Sequence, residues 1–333
     1  MFKSKNKSFL VATLSILLIL TVVGCSGQNQ QSQEGTAQNN EEAAQNQEQA
    51  MMSEIEFGYV NWPGVTMKTH VAKNILEKLG YDVKINSYTQ QVLFTGMEND
   101  QIDAFLGNWD PTMKVNFKPY QEKGVVENVR VNLEEALYQT AVPTYVWEAG
   151  VKSMADLNEY ADKFDKRIIG IEPGNDGNQI IKDAINNNTY NLKDWKLVNG
   201  STAAMLAAVG KATANNEWIA FNGWKPHWMN VKYDMKYLKD PEGIWGSNDT
   251  VYTVSRPELK DNATNFYKFL EQFKVTSKTQ NTWILEYQKK ERDPEKVAEE
   301  WIANNQETVN DWIAGMTTVD GQNAQEALAE QLN

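Results

Sequence analysis

Two stretches of the sequence repeat the same order of strands and helices, and this repetition restricts the fold to an α/β architecture. Residues 53–62, 82–88 and 102–109 have the character of strands, and helical patterns over 65–79 and 91–99 separate them. Apolar residues recur at helical spacing in the first helical pattern, and Gly80 ends it. A β-α-β-α-β order predicts parallel strands with right-handed crossovers.

The same order begins again after Pro143, with predicted strands over 167–171, 195–198 and 217–221. Helices are expected over 178–185 and 202–213, and the chain from about 257 onward is mostly helical in pattern. Two such units, joined near Ala141–Tyr145, predict two α/β lobes that face a cleft. In open parallel sheets, ligands bind outside the carboxyl ends of the strands.

Three short segments place a tryptophan where a predicted strand ends. They are Asn61-Trp62-Pro63-Gly64, Gly107-Asn108-Trp109-Asp110-Pro111-Thr112 and Gly223-Trp224-Lys225-Pro226-His227-Trp228. A single tryptophan is most often a core residue, and Trp283, Trp301 and Trp312 have the spacing of buried helix faces. Three at strand ends instead suggest a shared aromatic pocket. Aromatic faces attract cations, quaternary ammonium groups among them.

The first 51 residues differ in composition from the rest. Lys3, Lys5 and Lys7 precede an apolar run from Phe9 to Val23, and Val22-Val23-Gly24-Cys25 resembles a lipobox. This run is shorter than the roughly 20 residues of a spanning helix. We therefore expect a lipoprotein signal peptide over 1–24, a lipidated Cys25 at a membrane, and a disordered polar tether over 25–51.

Composition excludes several function classes. Cys25 is the only cysteine and there are two histidines, His70 and His227, so neither a multi-cysteine metal site nor a Cys/His nucleophile is expected. The net charge of −12 and the lack of a basic run argue against nucleic acid. No phosphate loop or Gly-x-Ser-x-Gly elbow occurs. The prediction is a protein without cofactor, metal or catalytic activity, and a monomer.

On these motifs the chain resembles the substrate-binding proteins of ABC importers for glycine betaine, choline and related quaternary amines. The resemblance is densest over 107–112, 138–146, 170–178 and 223–229. It implies a two-lobed, type II periplasmic-binding-protein-like fold, an ABC permease as partner and an extracytoplasmic, lipid-anchored location. We expect lobe I over 52–135 and 246–333, which makes it discontinuous, and lobe II over 136–245.

The resemblance also implies the ligand contacts. The choline-binding members imply an aromatic box, the set Trp62, Trp109, Tyr138 and Trp224, with Asn175 as a polar contact opposite it. These members have an acid two residues after the first tryptophan, where this chain has Gly64. Because Pro63 lacks an N–H, Gly64 and Val65 offer the first free amides of the following helix, and helix N-termini favour anions. This resembles the betaine-binding members and favours glycine betaine over choline or carnitine.

Several residues allow two interpretations. Asn175 is suited to cap a helix or to contact the ligand, and His227 to donate to the ligand or to line the pocket wall. Asp110 is expected to cap a helix that begins at Pro111, rather than to act as a pocket carboxylate. A secreted carboxylate-dependent hydrolase and a receptor for polyamines or basic amino acids are the alternatives, and each requires carboxylates in the cleft.

Overall fold

The structure is a computed structural model that describes residues 52–332. The predicted signal peptide over 1–24, the tether over 25–51 and the lipidation site at Cys25 lie outside the described residues. Over 52–332, no helix combines the length and the apolar character needed to cross a membrane.

Strands and helices alternate through the first two thirds of the described chain. In order, the strands are β1 (Glu54–Tyr59), β2 (Asp82–Ser87), β3 (Ala104–Asp110), β4 (Glu127–Pro143), β5 (Arg167–Ile169), β6 (Lys196–Val198), β7 (Ala220–Lys225), β8 (Met235–Tyr237) and β9 (Asp249–Ser255). The helices are α1 (Pro63–Lys78), α2 (Gln90–Glu98), α3 (Lys114–Glu122), α4 (Thr144–Glu148), α5 (Asp176–Asn186), α6 (Thr202–Asn215), α7 (Met229–Lys232), α8 (Leu259–Asn262), α9 (Thr264–Gln272), α10 (Ser277–Ile284), α11 (Pro294–Asn304), α12 (Gln306–Trp312) and α13 (Ala324–Leu332). Short 3₁₀ helices occupy Met154–Phe164 and Thr189–Asn191, and a π-helix occupies Leu285–Lys289.

The two predicted βαβ units are present, each with parallel strands. β1 lies between β2 and β3 and is parallel to both. β5 lies between β6 and β7, again parallel to both. Helices α1 and α2 connect the first three strands, and α5 and α6 connect the second three. Local periodicity is enough to predict these units because each helix follows its strand directly.

The sheet as a whole is mixed, because antiparallel strands join the two parallel units. β9 is antiparallel to both β3 and β4, and β4 is also antiparallel to β7 and β8. Antiparallel neighbours need no crossover helix between them, so the order of helices and strands along the chain does not reveal this pairing.

β4 belongs to two parts of the sheet. Its residues up to Ala136 pair with β9, and from Leu137 to Ala141 they pair with β7. The chain enters the second unit through β4 and returns to the first through β9, whose first residue is Asp249. This path agrees with a discontinuous first lobe. The predicted boundaries, 52–135 with 246–333 and 136–245, stay a prediction.

The tryptophans expected in the helical part lie in a core apart from the strand-end tryptophans. Trp283 and Trp312 are buried, and Trp301 packs between them at ring distances of 4.9 and 5.5 Å. Trp283 and Trp312 belong to a cluster that also contains apolar side chains of α1 and of the central strands β1 and β3. The prediction that these are core residues is confirmed for Trp283 and Trp312, whereas Trp301 is partly buried and packs against the core.

Candidate ligand-binding site

The three strand-end tryptophans line a single cavity. Trp62 follows β1 and immediately precedes α1, whereas Trp109 and Trp224 are the next-to-last residues of β3 and β7. Tyr138 on β4 lines the same cavity, which measures about 510 Å³ with its open mouth included. Each of the four side chains keeps 7–9% of its surface exposed, whereas the core residue Trp283 keeps none.

Tyr138 is the centre of this aromatic box. Its ring meets Trp109 edge-on at 6.3 Å and Trp224 edge-on at 5.6 Å, and Trp245 packs against it at 5.2 Å. Burial raises the pKa of Tyr138, and the negative charge of Glu172 adds to this. The phenol is therefore neutral at physiological pH, and the box presents uncharged aromatic rings to the cavity.

Trp62 is held by a residue of the second βαβ unit. Its indole Nε1 donates a hydrogen bond to Glu172, and the Thr202 hydroxyl donates to the other carboxylate oxygen at 3.2 Å. Glu172 lies between β5 and α5, and Thr202 is the first residue of α6. The orientation of a box residue from the first unit thus depends on the second unit.

Asn175 combines the two roles that the sequence left open. It is the N-cap of α5, where its Oδ1 accepts from the amide of Gly177 at 2.9 Å. The same oxygen accepts from the hydroxyl of Tyr138 at 3.2 Å, and Asn175 lines the cavity. A Cβ at Gly177 would lie 2.6 Å from the Tyr138 ring, so only glycine permits this approach.

The N-terminus of α1 faces the cavity through Gly64 and Val65. Pro63 is the first helical residue, and the first bond that closes the helix runs from Thr66 N to Trp62 O at 2.8 Å. No hydrogen bond found within residues 52–332 uses the amide of Gly64 or Val65, as expected for the first turn of a helix. Two backbone donors are therefore available on the cavity wall.

His227 lies behind Trp224 rather than on the cavity surface. The two rings are 5.0 Å apart, and His227 is almost fully buried. Its Nδ1 accepts from the amide of Met229 at 3.1 Å, which assigns the proton to Nε2. Burial lowers the pKa of His227 to about 3, so the ring is neutral. Over the described chain, Nε2 has no hydrogen-bond partner.

Asp110 does not cap a helix, and that prediction is wrong. It is the last residue of β3, where it pairs with Thr250, and α3 begins later, at Lys114. The turn that follows is held by β9, since both the amide and the hydroxyl of Thr112 donate to Asp249, at 2.9 and 3.0 Å. Burial raises the pKa of Asp249 to about 6, although the Thr112 bonds oppose the shift.

The cavity also has lining residues that the sequence did not single out. They are Lys68, Thr112, Met113, Ile171, Pro226 and Gln280. Lys68 lies one helical turn after Gly64, and this spacing puts both residues on one face of α1. The sequence therefore contained a signal that could have predicted Lys68 as a lining residue. Gln280 comes from α10, more than 200 residues away along the chain, and no local pattern connects it to Gly64. Among the described residues, the lining contains no carboxylate and one cation, Lys68.

Comparison with known proteins identifies the family of this chain. The model of the OpuAC family, described as the substrate binding domain of ABC-type glycine betaine transport systems, matches residues 53–304. The glycine betaine/carnitine transport binding protein GbuC of Listeria monocytogenes is 34% identical over 165 residues, 49% of this chain and 54% of GbuC. The aligned region thus spans about half the length of GbuC.

Two solved structures have the same fold. An ABC-transporter choline binding protein in complex with choline is 34% identical, with a TM-score of 0.83 over 85% of this chain and 99% of its own. Lactococcal OpuAC, complexed with glycine betaine in its closed conformation, is 33% identical, with a TM-score of 0.72 over 78% of this chain and 99% of its own. These matches confirm the two-lobed α/β fold. The chain belongs to the family of substrate-binding domains of ABC-type glycine betaine transport systems, and it is a transport protein rather than an enzyme.

Proposed function

We propose that this protein captures glycine betaine, or a closely related betaine, in the aromatic box and delivers it to an ABC importer as an osmoprotectant. The observation that carries the proposal is the composition of the cavity wall. Four aromatic side chains line the cavity. Among the described residues, the lining includes no carboxylate. A cation in this cavity is therefore held by ring faces and not by an ion pair.

This arrangement favours a quaternary ammonium group over other cations. A primary amine or a guanidinium needs hydrogen-bond acceptors when it is buried, and carboxylates are the strongest of these. A trimethylammonium group has no N–H to satisfy, and it gains most from aromatic faces in a desolvated site. A polyamine or a basic amino acid would leave its donors unpaired against Trp62, Trp109 and Trp224.

The N-terminus of α1, which also lines the cavity, supports an anionic group. Gly64 and Val65 offer two amides at the positive end of α1. We infer that they bind the ligand carboxylate. His227, the other donor expected, lies behind Trp224 and outside the cavity lining, so in this proposal it supports the wall of the box and makes no ligand contact. Choline has a hydroxyl in place of the carboxylate, so it would bring no anion to the N-terminus of α1.

The names of the relatives support the ligand class without separating its members. One solved relative is a choline binding protein, another was solved with glycine betaine, and GbuC is a glycine betaine/carnitine binding protein. Choline and carnitine are therefore the alternatives. Carnitine also carries a carboxylate, whereas choline does not, so the amides at Gly64 and Val65 separate choline from the other two ligands.

A titration of the tryptophan fluorescence tests this function. Three of the tryptophans line the cavity, so a bound ligand is expected to change the emission in a saturable way. We expect glycine betaine to bind more tightly than choline, and neither putrescine nor glucose to give a saturable change. Preference for choline would overturn the ligand assignment, and a response to putrescine alone would overturn the quaternary ammonium class.

Anchoring by a lipid at Cys25 is part of the same proposal. Its support is the sequence Val22-Val23-Gly24-Cys25 after an apolar run. In cells, the wild-type protein is expected to partition into detergent with the membrane fraction and to incorporate labelled fatty acid. Cys25→Ser is expected to lose both properties, and label that persists in this variant would contradict the anchor. Size-exclusion chromatography of residues 52–333 tests the expected monomer.

A further inference from the structure

Lys68 is the one charged side chain among the lining residues of the described cavity. It is 1% exposed, and its Nζ donates to Oδ1 of Asn132 at 2.6 Å. The amide of Asn132 donates in turn to Leu106 O at 3.2 Å and to the Thr253 hydroxyl at 3.0 Å, which leaves its oxygen directed at Lys68. An ammonium has three N–H donors. Over residues 52–332, the Asn132 bond is the one hydrogen bond found for Nζ, and no ion pair involves it.

The carboxylates around the cavity have other partners. Glu172 accepts from Trp62 and Thr202, and Asp249 accepts from Thr112. On α1 itself, the outward-facing His70 and Lys73 both bind Glu295 on α11.

Lys68 is thus a buried basic group without a counter-ion among the described residues. Burial is the cause that lowers its pKa, to about 7. Near neutral pH the lysine is therefore divided between its charged and its neutral form.

We propose that Lys68 is the counter-charge for the carboxylate of a zwitterionic ligand and takes up a proton from solvent when that ligand binds. This deepens the proposed function and rests on it. Gly64 and Lys68 are four residues apart on α1, about 6 Å along the helix axis, and both line the cavity. A carboxylate at the Gly64 and Val65 amides would therefore lie near the lysine and favour its protonated form.

The proposal predicts opposite proton linkage for two ligands of similar size. Glycine betaine brings a carboxylate, so it favours the charged lysine and its binding consumes protons above about pH 7. Choline brings a positive charge alone, so it favours the neutral lysine and its binding releases protons. By linkage, betaine affinity falls by up to about tenfold per pH unit above pH 7, and choline affinity rises as the pH increases through 7.

Calorimetry in two buffers of different ionisation enthalpy measures the protons exchanged on binding. At about pH 8 we expect uptake close to one proton per glycine betaine, because a group with a pKa near 7 is then mostly neutral in the free protein. Lys68→Met, which keeps an apolar stem of similar length, should lose this uptake. Betaine binding should weaken roughly ten- to hundredfold in this variant, and choline binding should not weaken.

Two matched variants separate Lys68 from other titrating groups. Lys73→Met makes the same change on α1 at a residue that is paired with Glu77 and Glu295 and is not in the cavity lining. It should keep the proton uptake of the wild type. Burial raises the pKa of Asp176, bonded to Gln90, to about 7, so this group titrates in the same range. Asp176→Asn should also retain most of the uptake.

Tight betaine binding without proton uptake by the wild-type protein would overturn the role of Lys68 and leave the proposed function intact. This result needs no variant, so it decides the matter even if Lys68→Met does not fold. Equal uptake by Lys68→Met and the wild type would also overturn it. If neither glycine betaine nor choline gives a binding heat, the proposed function fails together with this inference.

Discussion

Substitution of Trp62 tests the aromatic box in a way that separates its two contributions. The side chain lines the cavity and is 9% exposed, and its Nε1–H donates to Glu172 of the second unit. Trp62→Ala removes both the ring and the donor. Trp62→Phe removes the donor and keeps a smaller aromatic face. The pair therefore distinguishes binding by the ring from orientation of the lobes through Glu172.

The magnitudes follow from the desolvated position of the ring. A desolvated cation–π contact contributes about 2 kcal/mol, so Trp62→Ala should weaken glycine betaine binding roughly thirtyfold. Trp62→Phe should lose about 1 kcal/mol, roughly fivefold, because an aromatic face remains and one hydrogen bond to Glu172 is lost.

Calorimetric titration of the two variants with glycine betaine measures these losses, with thermal melting as the check on folding. Equal losses in the two variants would show that the donor, rather than the ring, makes the contribution. A change below twofold in a folded Trp62→Ala protein would refute the aromatic box at this position.

Three further predictions concern specificity and stability. Gly64→Asp should lower the ratio of betaine to choline affinity at least tenfold in calorimetry, because it places a carboxylate where the ligand carboxylate is expected. It should also weaken the binding of both ligands, since a Cβ at position 64 would lie 2.4 Å from the Gln280 amide. An unchanged affinity ratio would contradict the carboxylate site. Trp312→Phe should destabilise the protein by about 1–3 kcal/mol in denaturant titrations, because the Trp312 ring packs at 4.6 Å on Phe273 in the core. Betaine affinity should stay within about twofold of the wild type. A large loss of affinity would contradict the separation of this core from the ligand site. Burial lowers the pKa of Lys68 on folding, so the unfolded chain binds more protons than the folded protein between pH 7 and 10. Lys68 therefore destabilises the fold most below about pH 7, and this destabilisation decreases as the pH rises. Unfolding titrations should show that the gain in stability from Lys68→Met is largest near pH 7, and a gain that grows toward pH 10 would contradict the pKa shift.

The aromatic residues were predictable because their signal is local. Trp62 and Trp109 follow or end parallel strands of the first unit, whose carboxyl ends share one edge. Trp224 is near the end of β7, which runs in the opposite direction and lines the same cavity beside the point where β4 changes partners from β9 to β7. Tyr138 carries no such pattern. It lies in the middle of the 17-residue strand β4, at the point where that strand changes partners, and only the family resemblance pointed to it.

The remaining features depend on tertiary contacts that a single sequence does not encode. The antiparallel partners β4 and β9 meet across more than 100 residues of chain. Gln280 reaches the cavity from α10, and the position of Asp110 follows from the pairing of β3 with β9. The position of Lys68 in the cavity was not predicted for a different reason. Twelve of the 16 residues of α1 are buried, so a lysine among them does not mark an exposed face as it would on an amphipathic helix.

A crystal structure of residues 52–333 with glycine betaine tests the central claim most directly. The account predicts the trimethylammonium group among Trp62, Trp109, Tyr138 and Trp224, with the carboxylate within hydrogen-bond distance of the amides of Gly64 and Val65. A ligand bound in the reverse orientation, or outside the aromatic box, would contradict it.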